Sequence, residues 1–141
     1  MWAEFKERLL KDSLTEEDYA KMLHASMVAG MSITHTGTSL PHGLSYPVTY
    51  ELGVPHGKAV GMFLGGFVEE YQDKEEATKV LSMLGFEKAA DFRAYMRALL
   101  GVVEVCEELM KDNVQGLLAN PAKLKNYPFE ITEKELLEMA N

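Results

Sequence analysis

Apolar residues recur along this chain at helical intervals, and no stretch alternates as a strand would. Phe5, Leu9 and Leu10 among charges predict a first helix over about 3–11. Thr15 followed by Glu16, Glu17 and Asp18 predicts a helix start, because the free N–H groups of a first turn need acceptors. Tyr19, Met22, Leu23, Ser26 and Met27 continue that helix at i, i+3, i+4 spacing, to an end near Ile33. Residues 34–41, rich in β-branched and hydroxyl side chains around Gly37, break the period and read as a connecting loop. A short helix over about 41–50 follows, made irregular by Pro47.

Leu52-Gly53-Val54-Pro55 is a second break, and Pro55 suits the first turn of a helix over about 55–71. That segment is apolar almost all round, which places it at the centre of a bundle. Asp73 caps a helix to about Leu84, and Gly85 ends it. Further helices are predicted from Glu87 to Leu100 and over about 102–118. Asn120-Pro121 is a break and Asn126-Tyr127-Pro128 a turn. Thr132 with Glu135 forms a capping box for a last helix. The expected fold is all-α, a bundle of about seven helices in a single domain spanning 1–141, with no internal repeat.

Composition narrows the function classes. Hydrophobic residues make up 47% of the chain and charged residues 26%, an ordinary globular balance. The formal net charge of −8 argues against nucleic acid, whose phosphates call for clustered Lys and Arg. The longest apolar run, Ala59 to Val68, is half the length that a bilayer span needs, so no membrane role is expected. The charged start lacks the apolar stretch of a signal peptide. Cys106 is the sole cysteine, which excludes an internal disulfide and fits a cytoplasmic setting.

Four histidines carry the candidate chemistry: His24, His35, His42 and His56. Two lie in a repeated Pro-His-Gly, Pro41-His42-Gly43 and Pro55-His56-Gly57. Neutral imidazole is the commonest side chain for binding iron or zinc. Two helix starts joined by a short loop could point both rings at one place. Histidines fourteen apart are not by themselves a recognised metal spacing, however; a complete site needs three or four ligands, and such residues more often cap helices or bond to backbone. His24 reads as an ordinary mid-helix residue and Lys58 as a first-turn lysine. The glycines of Gly61-Met62-Phe63-Leu64-Gly65-Gly66 fall inside a helical run. They read as close helix packing, not as a phosphate loop.

The stretch Ala29-Gly30-Met31 through Leu40-Pro41-His42-Gly43 to Tyr46-Pro47, continued by Gly53-Val54-Pro55-His56-Gly57-Lys58-Ala59, resembles the iron-containing (group III) alcohol dehydrogenases. Asn120-Pro121 to Tyr127-Pro128 is similar to that family's stretch before its last helix. The fold implied is the helical C-terminal domain of the dehydroquinate-synthase-like architecture. The resemblance implies a divalent metal, iron or alternatively zinc, held by an Asp and a His one helical turn apart and by two later histidines, which His42 and His56 match. The metal's implied role is to stabilise an alkoxide and position hydride transfer to a nicotinamide. NAD(P) is implied to bind a preceding α/β domain, with a small alcohol or aldehyde in the cleft between the halves. Ile33 and His35 are implied to line that cleft; His35 as an exposed loop residue is the other reading.

Tyr46 stands where many family members carry a further histidine near substrate. It is either a hydrogen-bonding group there or part of the cleft wall or core; as a base it would be poor near neutrality. No Asp is followed four residues later by His, and no glycine-rich strand-to-helix turn occurs. The expectation is therefore a severed helical part of an alcohol dehydrogenase, inactive alone and partnered by the missing N-terminal α/β domain. Its uncovered apolar cleft face would make it a homo-oligomer. The alternative is a stand-alone, non-catalytic helical binding module derived from the same fold. A metal site completed across a dimer is a third reading.

Overall fold

The computed structural model describes residues 2–140, and every regular element among them is a helix, with no strand. Its elements are α1 (Trp2–Leu10), α2 (Glu16–Thr36), α3 (Leu40–Leu52), α4 (His56–Glu70), α5 (Lys74–Leu84), α6 (Ala89–Leu100), α7 (Glu107–Leu118), α8 (Pro121–Leu124) and α9 (Glu133–Ala140). Nine helices among the described residues exceed the expected seven or so: the eight helical segments read along the chain are present, and Pro121 starts a further, four-residue helix where only a break was expected. Met1 and Asn141, which the single-domain reading also spanned, lie outside the described residues.

The apolar α4 is the axis of the bundle and packs against α3, α6 and α9. On one side Phe63 and Ala59 meet Leu40, Leu44 and Val48 of α3, Val114 and Leu117 of α7, and Leu136 and Met139 of α9. On the other, Leu64 and Val68 meet Leu81 of α5 and Phe92, Tyr95 and Met96 of α6. The glycines of α4 are what allow this approach. A Cβ at Gly65 would lie 2.8 Å from Arg93 Cα on α6, and one at Gly66 would lie 2.0 Å from the Met139 carbonyl oxygen on α9. Close helix packing is thus the role of that glycine run.

Two boundaries differ from expectation. Helix α2 runs to Thr36, three residues past Ile33, because Thr34 and Thr36 hydroxyls turn back onto the Gly30 and Ser32 carbonyls and Gly37, at φ 72°, supplies the terminating N–H to Ile33. The loop is only 37–39. Residues 102–106 are not helical: Gly101 ends α6 at φ 70°, and the Val102-Val103 pair disfavours an immediate restart. The remaining starts follow the sequence, with Asp73 accepting from Glu76 N and Thr132 and Glu135 capping α9 reciprocally.

Helix α2 is the exception to the packing. Its first turn is anchored: Thr15 and Asp18 form a capping box, Arg8 Nε donates to the buried Asp18 at 2.8 Å, and Lys21 bridges to Glu4 at 3.3 Å. Its last turn is tied through the 37–39 loop, where Asn126 Nδ2 donates to the Thr38 carbonyl. Between these ends Tyr19, Leu23, Met27, Val28, Met31 and Ile33 are exposed, Leu23 by 74%. The apolar period read from the sequence is present, but nothing among the described residues covers it.

Candidate functional site

The site is built on α3 and the start of α4. Pro41 occupies the first turn of α3, where its missing N–H costs nothing. Buried Leu40, Leu44 and Val48 fix that helix against α4 and α7, so His42 and Tyr46, one turn apart, share its outer face. Pro47 cannot donate to Gly43, and α3 is held instead from α7, where buried Asn113 donates to the Leu44 carbonyl at 2.7 Å. Gly53, left-handed at φ 65°, and Pro55 then turn the chain into α4. His56, the first residue of α4, arrives over the face carrying His42 and Tyr46.

The His42 and His56 rings lie edge to face with centroids 5.6 Å apart. The Tyr46 ring is stacked on His56, 5.5 Å away and 9° from parallel. Lys123 Nζ on α8 sits 4.3 Å from the centre of the Tyr46 ring, within cation–π range. Burial pushes His42 below the ordinary imidazole pKa and the neighbouring His56 pushes it the same way, which favours the neutral, ligating form. Neither ring hydrogen-bonds to another described residue. Two imidazoles bound to one metal at about 2.1 Å each would have centres roughly 5 Å apart, so the pair fits a shared divalent ion. Among the described residues no group of three His, Cys, Asp or Glu side chains is placed to hold a metal.

The other candidates are scattered. Ile33 and His35 both lie on the last turns of α2 and are exposed, His35 on the helix and not in the loop where the sequence reading put it. His24 is exposed in the middle of α2, and Lys58 is half-buried on the first turn of α4. Beside the site, an open cleft of about 430 Å³ is lined by Tyr46, Pro47, Asn113, Gly116, Asn120 and Lys123. The sequence reading did not single out Lys123 or Asn113. The signal for Lys123 was available only as part of the Asn120-Pro121 stretch; nothing in the sequence marks the pairing of Asn113 with a carbonyl 69 residues away. Cys106 is exposed, and no described helix is long and apolar enough to cross a membrane.

Comparison with protein-family models matches residues 6–126 to the C-terminal domain of Fe-containing alcohol dehydrogenases. No curated protein and no solved structure matches the chain.

Proposed function

The chain belongs to the Fe-containing alcohol dehydrogenase family, as a C-terminal domain of it, and from that premise we propose that it is the metal-holding helical part of an NAD(P)-dependent enzyme interconverting small alcohols and aldehydes or ketones. The observation that carries the reading is the convergence of His42 and His56 from two separate helix starts within the matched region. These two side chains would contribute two ligands to a divalent ion, iron or zinc, since imidazole suits both. The chemistry such an ion supplies is Lewis acidity toward an alcohol or carbonyl oxygen.

The chain's own residues prepare that site. Burial, and then the neighbouring His56, push His42 below the ordinary imidazole pKa and so favour its neutral form, and the contact of α3 with α4 fixes the separation of the two side chains. The remaining ligands and the nicotinamide cofactor would come from an N-terminal α/β domain. The uncovered apolar face of α2 supports a docking role of that kind. The isolated chain is then catalytically silent and associates with itself through exposed apolar surface. A cytoplasmic setting, where Cys106 stays reduced, belongs to the same proposal.

The test is complementation. The chain is mixed with the nucleotide-binding half of a full-length family member, loaded anaerobically with ferrous iron or with zinc, and assayed for aldehyde-dependent oxidation of NADH and NADPH. Activity that needs both halves and disappears in His42→Ala and His56→Ala is the expected result. Failure with every simple aldehyde overturns the reading. The exposed face of α2 also favours a second reading, a non-catalytic binding module. In that case the mixture stays inactive while the α2 face still binds a partner.

A further inference from the structure

His56 is exposed at the first position of α4 and makes no hydrogen bond to a described residue that would set its orientation. An imidazole in that situation rotates broadly about its second side-chain torsion. Ligand histidines are ordinarily held by a carboxylate or carbonyl on the non-ligating nitrogen. Here the flat face of His56 is met by Tyr46, 9° from parallel with centroids 5.5 Å apart, an offset-stacked geometry. The Tyr46 ring is itself touched by the Lys123 ammonium at 4.3 Å. Tyr46 rises from the same helix face as His42, so one helix presents the first ligand and the side chain that orients the second. The Tyr46 hydroxyl makes no hydrogen bond to a described residue, so the contact with His56 is made by the ring.

We infer that Tyr46 is a positioning residue for His56: its ring, steadied by Lys123, fixes the plane of that imidazole by stacking, and its hydroxyl is dispensable. Only the metal arm of the test rests on the reading of His42 and His56 as ligands. Tyr46 and Lys123 are both exposed, so Tyr46→Phe, Tyr46→Leu and Lys123→Met leave the core intact.

Two quantities are measured on each variant: the ring C–H proton resonances of His56 in the metal-free chain, and zinc affinity by competition with a chromophoric chelator. With the rings stacked, the ring current of Tyr46 is expected to hold the His56 resonances upfield. Tyr46→Phe keeps both the shift and the affinity, Tyr46→Leu moves the resonances downfield and weakens zinc by roughly two- to twelvefold, the scale of one aromatic pair, and Lys123→Met falls between. The inference is overturned if Tyr46→Leu matches the wild type in both readouts, or if Tyr46→Phe loses as much as Tyr46→Leu. A wild-type chain that takes up no zinc speaks against the ligand reading for the isolated chain, and the His56 resonances then decide the stacking claim alone.

Discussion

Replacing Gly66 by alanine tests whether the α4–α9 contact is as close as the structure has it. In an unconstrained helix interior the change would stabilise by about 1 kcal/mol, because glycine is the poorer helix former. In this bundle the added Cβ would lie 2.0 Å from the Met139 carbonyl oxygen, 2.7 Å from its carbon and 2.9 Å from its Cα. An ordinary carbon–oxygen contact is about 3.3 Å, so α9 must withdraw by roughly 1.3 Å at that point. The obstacle is backbone, which cannot swing aside as a side chain does. Overpacking of this sort costs about 1–3 kcal/mol. Withdrawal of α9 also loosens Leu136 and Met139, which are 0% and 2% exposed, and each is worth about 1.5–3 kcal/mol when fully buried. With half of that burial lost and the propensity gain subtracted, the net is a destabilisation of about 1.5–5 kcal/mol. In a chain of this size that lowers the melting temperature on the order of 10 °C. Thermal and urea unfolding followed by circular dichroism measure it. A Gly66→Ala protein that melts at or above the wild-type temperature would refute both the contact and the reading of this glycine run as a packing device.

Gly30→Ala is the converse: nothing lies within 4 Å of the added Cβ on exposed α2, so stability should rise by about 0.5–1 kcal/mol, read from the same urea curves. The Arg8 guanidinium holds the Asp18 carboxyl well below the usual carboxylate range. A lowered folded-state pKa contributes stability above about pH 4 that is lost as pH falls toward the folded value. Urea midpoints should therefore drop between pH 5 and pH 2 (about the titration window of such a carboxyl), and drop less in Asp18→Asn; equal acid sensitivity in both proteins would rule out the Arg8–Asp18 pair as a source. Self-association through α2 predicts that Met27→Lys with Met31→Lys shifts the chain toward monomer in light scattering at micromolar concentration, and a monomeric wild type contradicts it.

The sequence carried the elements better than their contacts, and the reason is physical. Caps and breaks are local: Thr15, Asp73, Gly85 and Thr132 act within one turn of themselves, and each stands where its chemistry predicts, while Pro55 falls one position before the first turn it was expected to open. The apolar circumference of α4 likewise has one solution, the centre of the bundle. Local rules failed where two weak signals competed. At 34–36 the threonines looked like loop residues, but their hydroxyls bond back to the helix and prolong it, so His35 moved from loop to helix. At 102–106 the apolar spacing suggested a helix that the Gly101 turn and paired valines prevent.

The candidate site divides in the same way. The Pro-His-Gly repeat made His42 and His56 visible, because proline is favoured at a helix start. That the two rings meet depends on the turn at Gly53 and on α3 being held by Asn113, 69 residues on. Lys123 depends on a four-residue helix that only the packing of α7 beside α3 puts in reach. Tyr46 shows the consequence most sharply. Read as a letter in a sequence, it is a phenol in place of a histidine and suggests lost proton transfer. Read in place, it is a ring nearly parallel to His56 and 5.5 Å from it, and it takes the positioning role inferred from that contact, which its letter does not suggest.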